Sequence, residues 1–267
     1  MFELTTRRMK RLARSRLLTI LLLAGSMLFV LLRWRDARWE ALAGADIPLL
    51  LAGGVVYAGS LAALIAVIAD GGRMMVAAGA STQLLKYLPG GIWQGQPLLA
   101  AGRMADVGTY VWAVLVAAGT ATTLGAGAPF SYIGGLFTLA AIGFGLWYFG
   151  IRQGLMRPVY ATGAGAAIVV SGVVVSLALG GSGWSDGQAV GLSWAVGVFA
   201  VPVPAGLGVR EAMMTLLGGT DAAPLAAAHR LVTFLVDVLV GVAGFTILRA
   251  RGTTGSSDVL RPEDPRH

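Results

Sequence analysis

From Ile47 to Ala69 the chain carries no charged side chain, and a run of that length is what an α-helix needs to cross the hydrocarbon core of a bilayer. Similar runs recur at about Leu17–Leu32, Val107–Thr123, Tyr132–Ile151, Val159–Leu179 and Pro224–Leu248. Inside lipid every backbone polar group must be satisfied internally, so runs of this kind fold as packed helices. The expected fold is an all-α polytopic membrane protein of about six spans. Composition agrees, with 56% of residues hydrophobic and only 12% charged. The first run is short for a span, and flanking arginines that snorkel would extend it. A cleaved signal ending at Ala41-Leu42-Ala43 is the rival reading, but Arg33, Arg35 and Arg38 intervene.

Charge placement orients the chain. Residues 1–16 form a basic arm, with Arg7, Arg8, Lys10, Arg11, Arg14 and Arg16 against Glu3. Further basic residues stand at Arg73, Arg103, Arg152 and Arg157 and in the polar tail, 250–267, which is expected to be disordered. By the positive-inside rule these regions face the cytoplasm, which puts both termini inside the cytoplasmic membrane. The Arg33–Asp46 loop, the Gly125–Pro129 loop and the turn around Asp186 are then outside, although three arginines in the first run against the rule. The chain has no cysteine and two histidines, His229 and His267, so neither a thiolate nor a histidine metal site is expected, and no cofactor. His229 is expected near the membrane interface.

Two stretches break their own helices. In Ser81–Gln96, Pro89 lacks a backbone N–H and Gly90 and Gly91 allow a tight turn. Lys86 and Tyr87 stand before that break and Trp93 behind it. In Phe199–Glu211, Pro202 and Pro204 stop a helix, Gly206 and Gly208 permit a turn, and a new helix is expected near Val209. Its first-turn N–H groups would suit a phosphate, with Arg210 adding a bidentate contact. Asp70 and Arg103 share one side, so residues 74–102 must enter and return. By the same argument residues 189–218 return from the opposite face. The layout is span, span, re-entrant hairpin, span, then the same inverted, with halves at about 17–126 and 127–249 of a single transmembrane domain. Leu88-Pro89-Gly90-Gly91-Ile92 can be laid over Val203-Pro204-Ala205-Gly206-Leu207. Eight plain spans with proline kinks are the competing layout.

Ionisable residues within such segments mark functional sites or internal pairs. Arg210 and Glu211 either neutralise each other or divide between a ligand and a proton. In the last run Arg230, Thr233 and Asp237 share one helical face, and Arg230 and Asp237 either pair or serve the site separately. Asp106, Glu211 and Asp237 are the candidates for coupling to protons. Gly187 and Gly191 read as helix-packing positions.

Metalloprotease, nucleophile-elbow, P-loop and dinucleotide motifs are absent from the sequence. Lys86-Tyr87-Leu88-Pro89-Gly90, with Trp93 behind it, resembles the first signature of the lysylphosphatidylglycerol synthase transmembrane (flippase) family. Pro204-Ala205-Gly206-Leu207-Gly208-Val209-Arg210-Glu211 resembles the second. Arg230 and Asp237 fall where a last-helix arginine and its polar partner are common. Ala205 replaces a usual glycine and Gly91 a frequent basic residue. The resemblance does not extend to the soluble aminoacyl-transfer domain of full-length synthases, so lipid aminoacylation is not expected from it.

The resemblance implies transbilayer movement of an anionic phospholipid or a polyprenyl-phosphate-linked glycolipid. Lys86, Tyr87, Pro89, Gly90, Trp93, Gly206, Gly208, Arg210, Glu211 and Arg230 would surround the head group. Two other readings stand beside it. One is an integral lipid-phosphate hydrolase or transferase using Glu211 or Asp237 as base. The other is a partner subunit of a lipid-modifying or glycosyltransferase enzyme. A nucleic-acid partner is not expected.

Overall fold

The computed structural model describes residues 39–68, 72–87, 104–125, 130–149, 156–200, 206–218 and 222–254, together with the single positions 28, 32 and 35. Among these the chain forms nine helices and no strand. They are α1 (Glu40–Ala43), α2 (Ile47–Ala66), α3 (Gly72–Leu85), α4 (Met104–Gly125), α5 (Phe130–Phe149), α6 (Met156–Ala178), α7 (Trp184–Phe199), α8 (Val209–Gly218) and α9 (Ala222–Thr254). Within α2, α6 and α9, segments of 20, 22 and 29 residues are long and apolar enough to cross a membrane. Pro89, Gly90 and Trp93 lie outside the described residues, as does the side chain of Asp106, whose backbone belongs to α4.

Local chemistry sets the ends of the helices. Asp46 caps α2 by accepting the Leu49 N–H at 3.0 Å, and a proline sits in the first turn, where no N–H is missed. The polar turn expected over Gly180–Gln188 closes earlier, at Gly183. Asp186, within the first turn of α7, reaches back to the Ser182 N–H at 3.0 Å, so the helix starts at Trp184. Gly180 and Gly183 take φ of 71° and 72°, which side chains resist. At the other end of the chain α9 runs past Leu248 to Thr254.

Large apolar side chains line the outside, and polar side chains are buried among the apolar residues of the core. Leu51, Val55, Leu136, Leu139, Leu231 and Leu239 stand on the outside, while Ser60, Ser171, Ser193, Thr233 and Asp237 are buried. An apolar exterior suits lipid, and with three helices long and apolar enough to cross a bilayer the chain is membrane-embedded. Without a hydrophobic drive between helices, close approach comes from small residues. Gly53 of α2 lies against Val175 of α6, and the Ser171 hydroxyl donates to the Gly53 carbonyl at 2.9 Å. Gly187 and Gly191 of α7 meet Val169 and Val173 of α6, the packing role read from their spacing.

One such contact positions the site. A Cβ on Gly244 would stand 2.6 Å from the Ala77 carbonyl oxygen and 2.6 Å from the Ser81 nitrogen, and one on Gly241 would be 2.5 Å from Leu84. Later residues of α3 therefore meet earlier residues of α9, and the two helices run antiparallel. One turn before Gly241 on α9 is Asp237, and just past Leu84 are Lys86 and Tyr87. Gly54, on the neighbouring face of α2, packs near Val232 and Val236 and turns Tyr57 toward the same place.

Gly244→Leu is expected to drive α3 off α9 and cost about 1–3 kcal/mol, the usual penalty for overpacking. It should appear as a lower thermal midpoint in detergent. Gly143→Ala, where an added methyl meets nothing within 4 Å, is the matched control and should leave the midpoint unchanged or slightly higher.

Candidate functional site

The end of α3, the first turn of α8 and the middle of α9 bring together the five ionisable residues Lys86, Arg210, Glu211, Arg230 and Asp237. At the centre Asp237, only 1% exposed, receives three donors. Lys86 Nζ lies 2.7 Å from Oδ2, the Tyr87 hydroxyl donates to Oδ2 at 2.7 Å, and the Tyr57 hydroxyl donates to Oδ1 at 3.1 Å. The ammonium is equally committed. Besides Asp237, Lys86 donates to Gln83 Oε1 at 3.1 Å and to the Tyr57 oxygen at 3.3 Å. An ammonium has three protons, and all three are used. Gln83 continues the chain, donating to the Tyr110 oxygen at 3.3 Å and to Thr82 Oγ1 at 3.1 Å.

A second pair lies on the α8 side. Glu211 is the third residue of α8, and its Oε2 accepts the Gly208 N–H at 2.7 Å, one half of a capping box. Its Oε1 lies 3.5 Å from Arg230 Nε. The two pairings read from the sequence as alternatives, Arg210 with Glu211 and Arg230 with Asp237, are thus crossed: Glu211 takes Arg230, and Asp237 takes Lys86. The N–H at the cap, expected to be open to phosphate, is held by Glu211. Tyr87 joins the two pairs. Arg230 Cζ sits 5.5 Å from its ring centroid, and Phe234 meets the ring edge-on at 5.2 Å.

Arg210 is different. It is 8% exposed, and among the described residues no hydrogen bond or ion pair reaches its guanidinium. Its stem lies on two glycines. A Cβ at Gly197 would overlap the Arg210 chain, and one at Gly206 would come within 3.2 Å of it. Gly206 and Gly208 take φ of 65° and 77°, so the turn before α8 needs glycine at both places, as the sequence suggested. Arg210 precedes Glu211 in the first turn of α8, so it leaves the backbone beside the second pair.

Several members were not singled out from the sequence. Tyr57, Gln83 and Tyr110 complete the network, and His229 lies inside it rather than near the interface. His229 is 1% exposed and meets Tyr57 edge to face, with centroids 6.4 Å apart. Among the described residues no group of three metal-ligating side chains forms. The cluster thus gathers three cations and two carboxylates inside an apolar bundle. No family model, curated protein or solved structure matches the chain.

Asp237→Asn keeps the shape and removes the counter-charge of Lys86. It should destabilise the protein by about 3–5 kcal/mol, the cost of orphaning one partner of a buried pair. Lys86→Met in the same chain should restore part of that loss. Unfolding in mixed micelles, analysed as a double-mutant cycle, reads the coupling.

Proposed function

We propose that this chain is a lipid flippase of the cytoplasmic membrane, moving a lipid with an anionic phosphate head group across the bilayer. The observation that carries the reading is a buried cationic cluster inside an apolar bundle, with Arg210 unmatched among the described residues. A phosphate cannot cross hydrocarbon without a partner for its charge, and buried cations within a membrane protein mark such a path. The head group enters between the two halves while its acyl or polyprenyl tails stay in lipid. Arg210 meets it first. Lys86 and Arg230 then exchange their internal carboxylates for phosphate oxygens, and Asp237 and Glu211 take the cations back when the lipid leaves. Asp106 stands with them as a candidate for proton coupling.

Six spans and two inverted re-entrant hairpins give this site its two-sided access in the proposed layout. The helices leading into both Pro/Gly breaks support it. They have 14 and 16 residues, fewer than the roughly 20 a full span requires. Rocking of one half against the other exposes the cluster to each face in turn, with both termini in the cytoplasm. Commitment of both carboxylates to cations favours this reading over a hydrolase, in which Glu211 or Asp237 would serve as general base.

Fluorescent anionic lipid in proteoliposomes tests it. The wild-type chain should equilibrate the lipid between leaflets, and Lys86→Ala and Arg210→Ala should each slow it by about tenfold or more while still eluting as folded protein. Wild-type rates in both variants would exclude transport through this cluster.

A further inference from the structure

Glycines set the closest helix contacts in this fold, and among the described residues those contacts fall into two sets. One set joins α2 to α4, α5, α6 and α7. A Cβ on Gly134 of α5 would stand 2.8 Å from the Thr123 nitrogen of α4. One on Gly125 of α4 would stand 2.5 Å from the Gln188 carbonyl oxygen of α7, and one on Gly187 of α7 would stand 2.8 Å from the Val169 carbonyl oxygen of α6. Gly53 joins α2 to α6, and Gly197 seats Arg210 of α8 on α7. The other set joins α3 to α9 through Gly241 and Gly244. Between the sets the nearest atoms are side-chain carbons: Gly54 faces Val232 and Val236, and Gly79 faces Ile65 and Ile68.

Polar contacts divide along the same line. Within the first set Trp112 Nε1 donates to the Ala141 carbonyl at 2.6 Å, Ser171 Oγ to the Gly53 carbonyl at 2.9 Å and Gln188 Nε2 to the Leu124 carbonyl at 3.0 Å. Within the second, Lys86 and Tyr87 each lie 2.7 Å from Asp237. Contacts that cross from one set to the other are longer. Tyr57 reaches Asp237 at 3.1 Å, Lys86 reaches Tyr57 at 3.3 Å, Gln83 reaches Tyr110 at 3.3 Å and Arg230 reaches Glu211 at 3.5 Å. Beyond about 3.2 Å an N–H···O contact is outside the ordinary range. His229 meets Tyr57 edge-on across the same line, and its buried Nε2 has no partner among the described residues.

Pulling apart glycine-packed backbones leaves a void that nothing fills. Pulling apart polar side chains lets water or an anion take over their hydrogen bonds, which lipid cannot do. The polar plane is therefore the weaker one. We propose that α3 and α9 move as one body against a second made of α2 and α4 to α8, and that the hydroxyls of Tyr57 and Tyr110 and the carboxylate of Glu211 latch the two together. The bodies cross the sequence halves, because α3 comes from the first and α9 from the second. The rocking proposed above then runs along this plane rather than between residues 126 and 127. The division stands on packing and holds whatever head group is carried.

The chain has no cysteine, so spin labels can be placed in pairs without background. Leu51 on α2, Val76 on α3, Leu139 on α5 and Leu231 on α9 are exposed, and cysteines replace them two at a time. Double electron–electron resonance then measures distances in the full chain, in nanodiscs of phosphatidylcholine and phosphatidylglycerol. The Leu51–Leu139 and Val76–Leu231 pairs report within each body. The Val76–Leu139 and Leu231–Leu139 pairs report across the plane. Tyr57→Phe combined with Tyr110→Phe removes two latch hydroxyls and keeps both rings and the Lys86–Asp237 pair. Both crossing pairs should then gain a population shifted by about 5 Å, one helical turn. That population should be enriched about fivefold or more over wild type. Both within-body pairs should keep a single wild-type distance. Ser171→Ala, which removes a hydroxyl inside one body, should change none of the four. Tyr110→Phe alone should give a smaller gain in the same direction, and covers the case in which the double variant does not fold.

Crossing distances that ignore the tyrosine variants would overturn the inference. So would a Val76–Leu231 distance that shifts with them, because α3 and α9 would then be parting from each other, or a Ser171→Ala variant that opens the same plane. Failure here is separable from failure of the flippase reading. A chain whose latch opens but which moves no lipid in vesicles keeps the two bodies and loses transport. One that moves lipid with all four distances fixed does the reverse.

Discussion

A single carboxylate, Asp237, ties three otherwise separate elements together. It accepts from Tyr57 on α2 and from Lys86 and Tyr87 at the end of α3, while its own backbone belongs to α9. Burying either charge without the other would be costly. Each is retained because the other is present and because hydroxyls and an amide take up the remaining hydrogen-bonding capacity. The glycines of α9 make this possible. Larger residues at Gly241 and Gly244 would hold α3 too far away for Lys86 to reach.

Around that anchor the cluster is matched almost but not completely. A core selected for stability alone would balance its charges or omit them, since buried pairs add little net stability over apolar packing. The imbalance at Arg210 is built with care. Two glycines make room for its stem, and positive φ at Gly206 and Gly208 sets the turn from which it projects. Structure of this kind around an unfavourable charge is easier to understand as a site than as a fault, because local strain and unmet polarity collect where function needs them.

Much of this was legible in the sequence, and the reasons differ by residue. Long uncharged runs fixed the helices, because lipid leaves the backbone few options. Ionisable residues inside those runs stood out for the same reason, so Lys86, Arg210, Glu211, Arg230 and Asp237 were singled out without coordinates. Their pairing was not legible. Arg210 and Glu211 are neighbours in sequence and Arg230 and Asp237 share a helical face, so local spacing suggested partners that tertiary packing replaced. Tyr57 was hidden because its polarity is a single hydroxyl in an apolar run and its partner lies 180 positions away. Gln83 carried a faint signal, a polar trio with Ser81 and Thr82 in an apolar helix. His229 was misplaced because adjacency to Arg230 suggested water, whereas the helix turns it toward Tyr57.

Glu211 carries a consequence of a different sort. One of its oxygens holds the first turn of α8 and the other holds Arg230. The integrity of a helix end and the electrostatics of a neighbouring helix are therefore a single equilibrium. Whatever draws Arg230 away leaves the carboxylate free to tighten on the turn, and whatever frays the turn loosens the hold of Glu211 on Arg230. Opening of a few backbone hydrogen bonds, among the fastest and least costly motions a protein makes, becomes audible to a charge buried on another helix. A short helix with a dual-purpose carboxylate in this way links the order of its own first turn to a charge on a neighbouring helix.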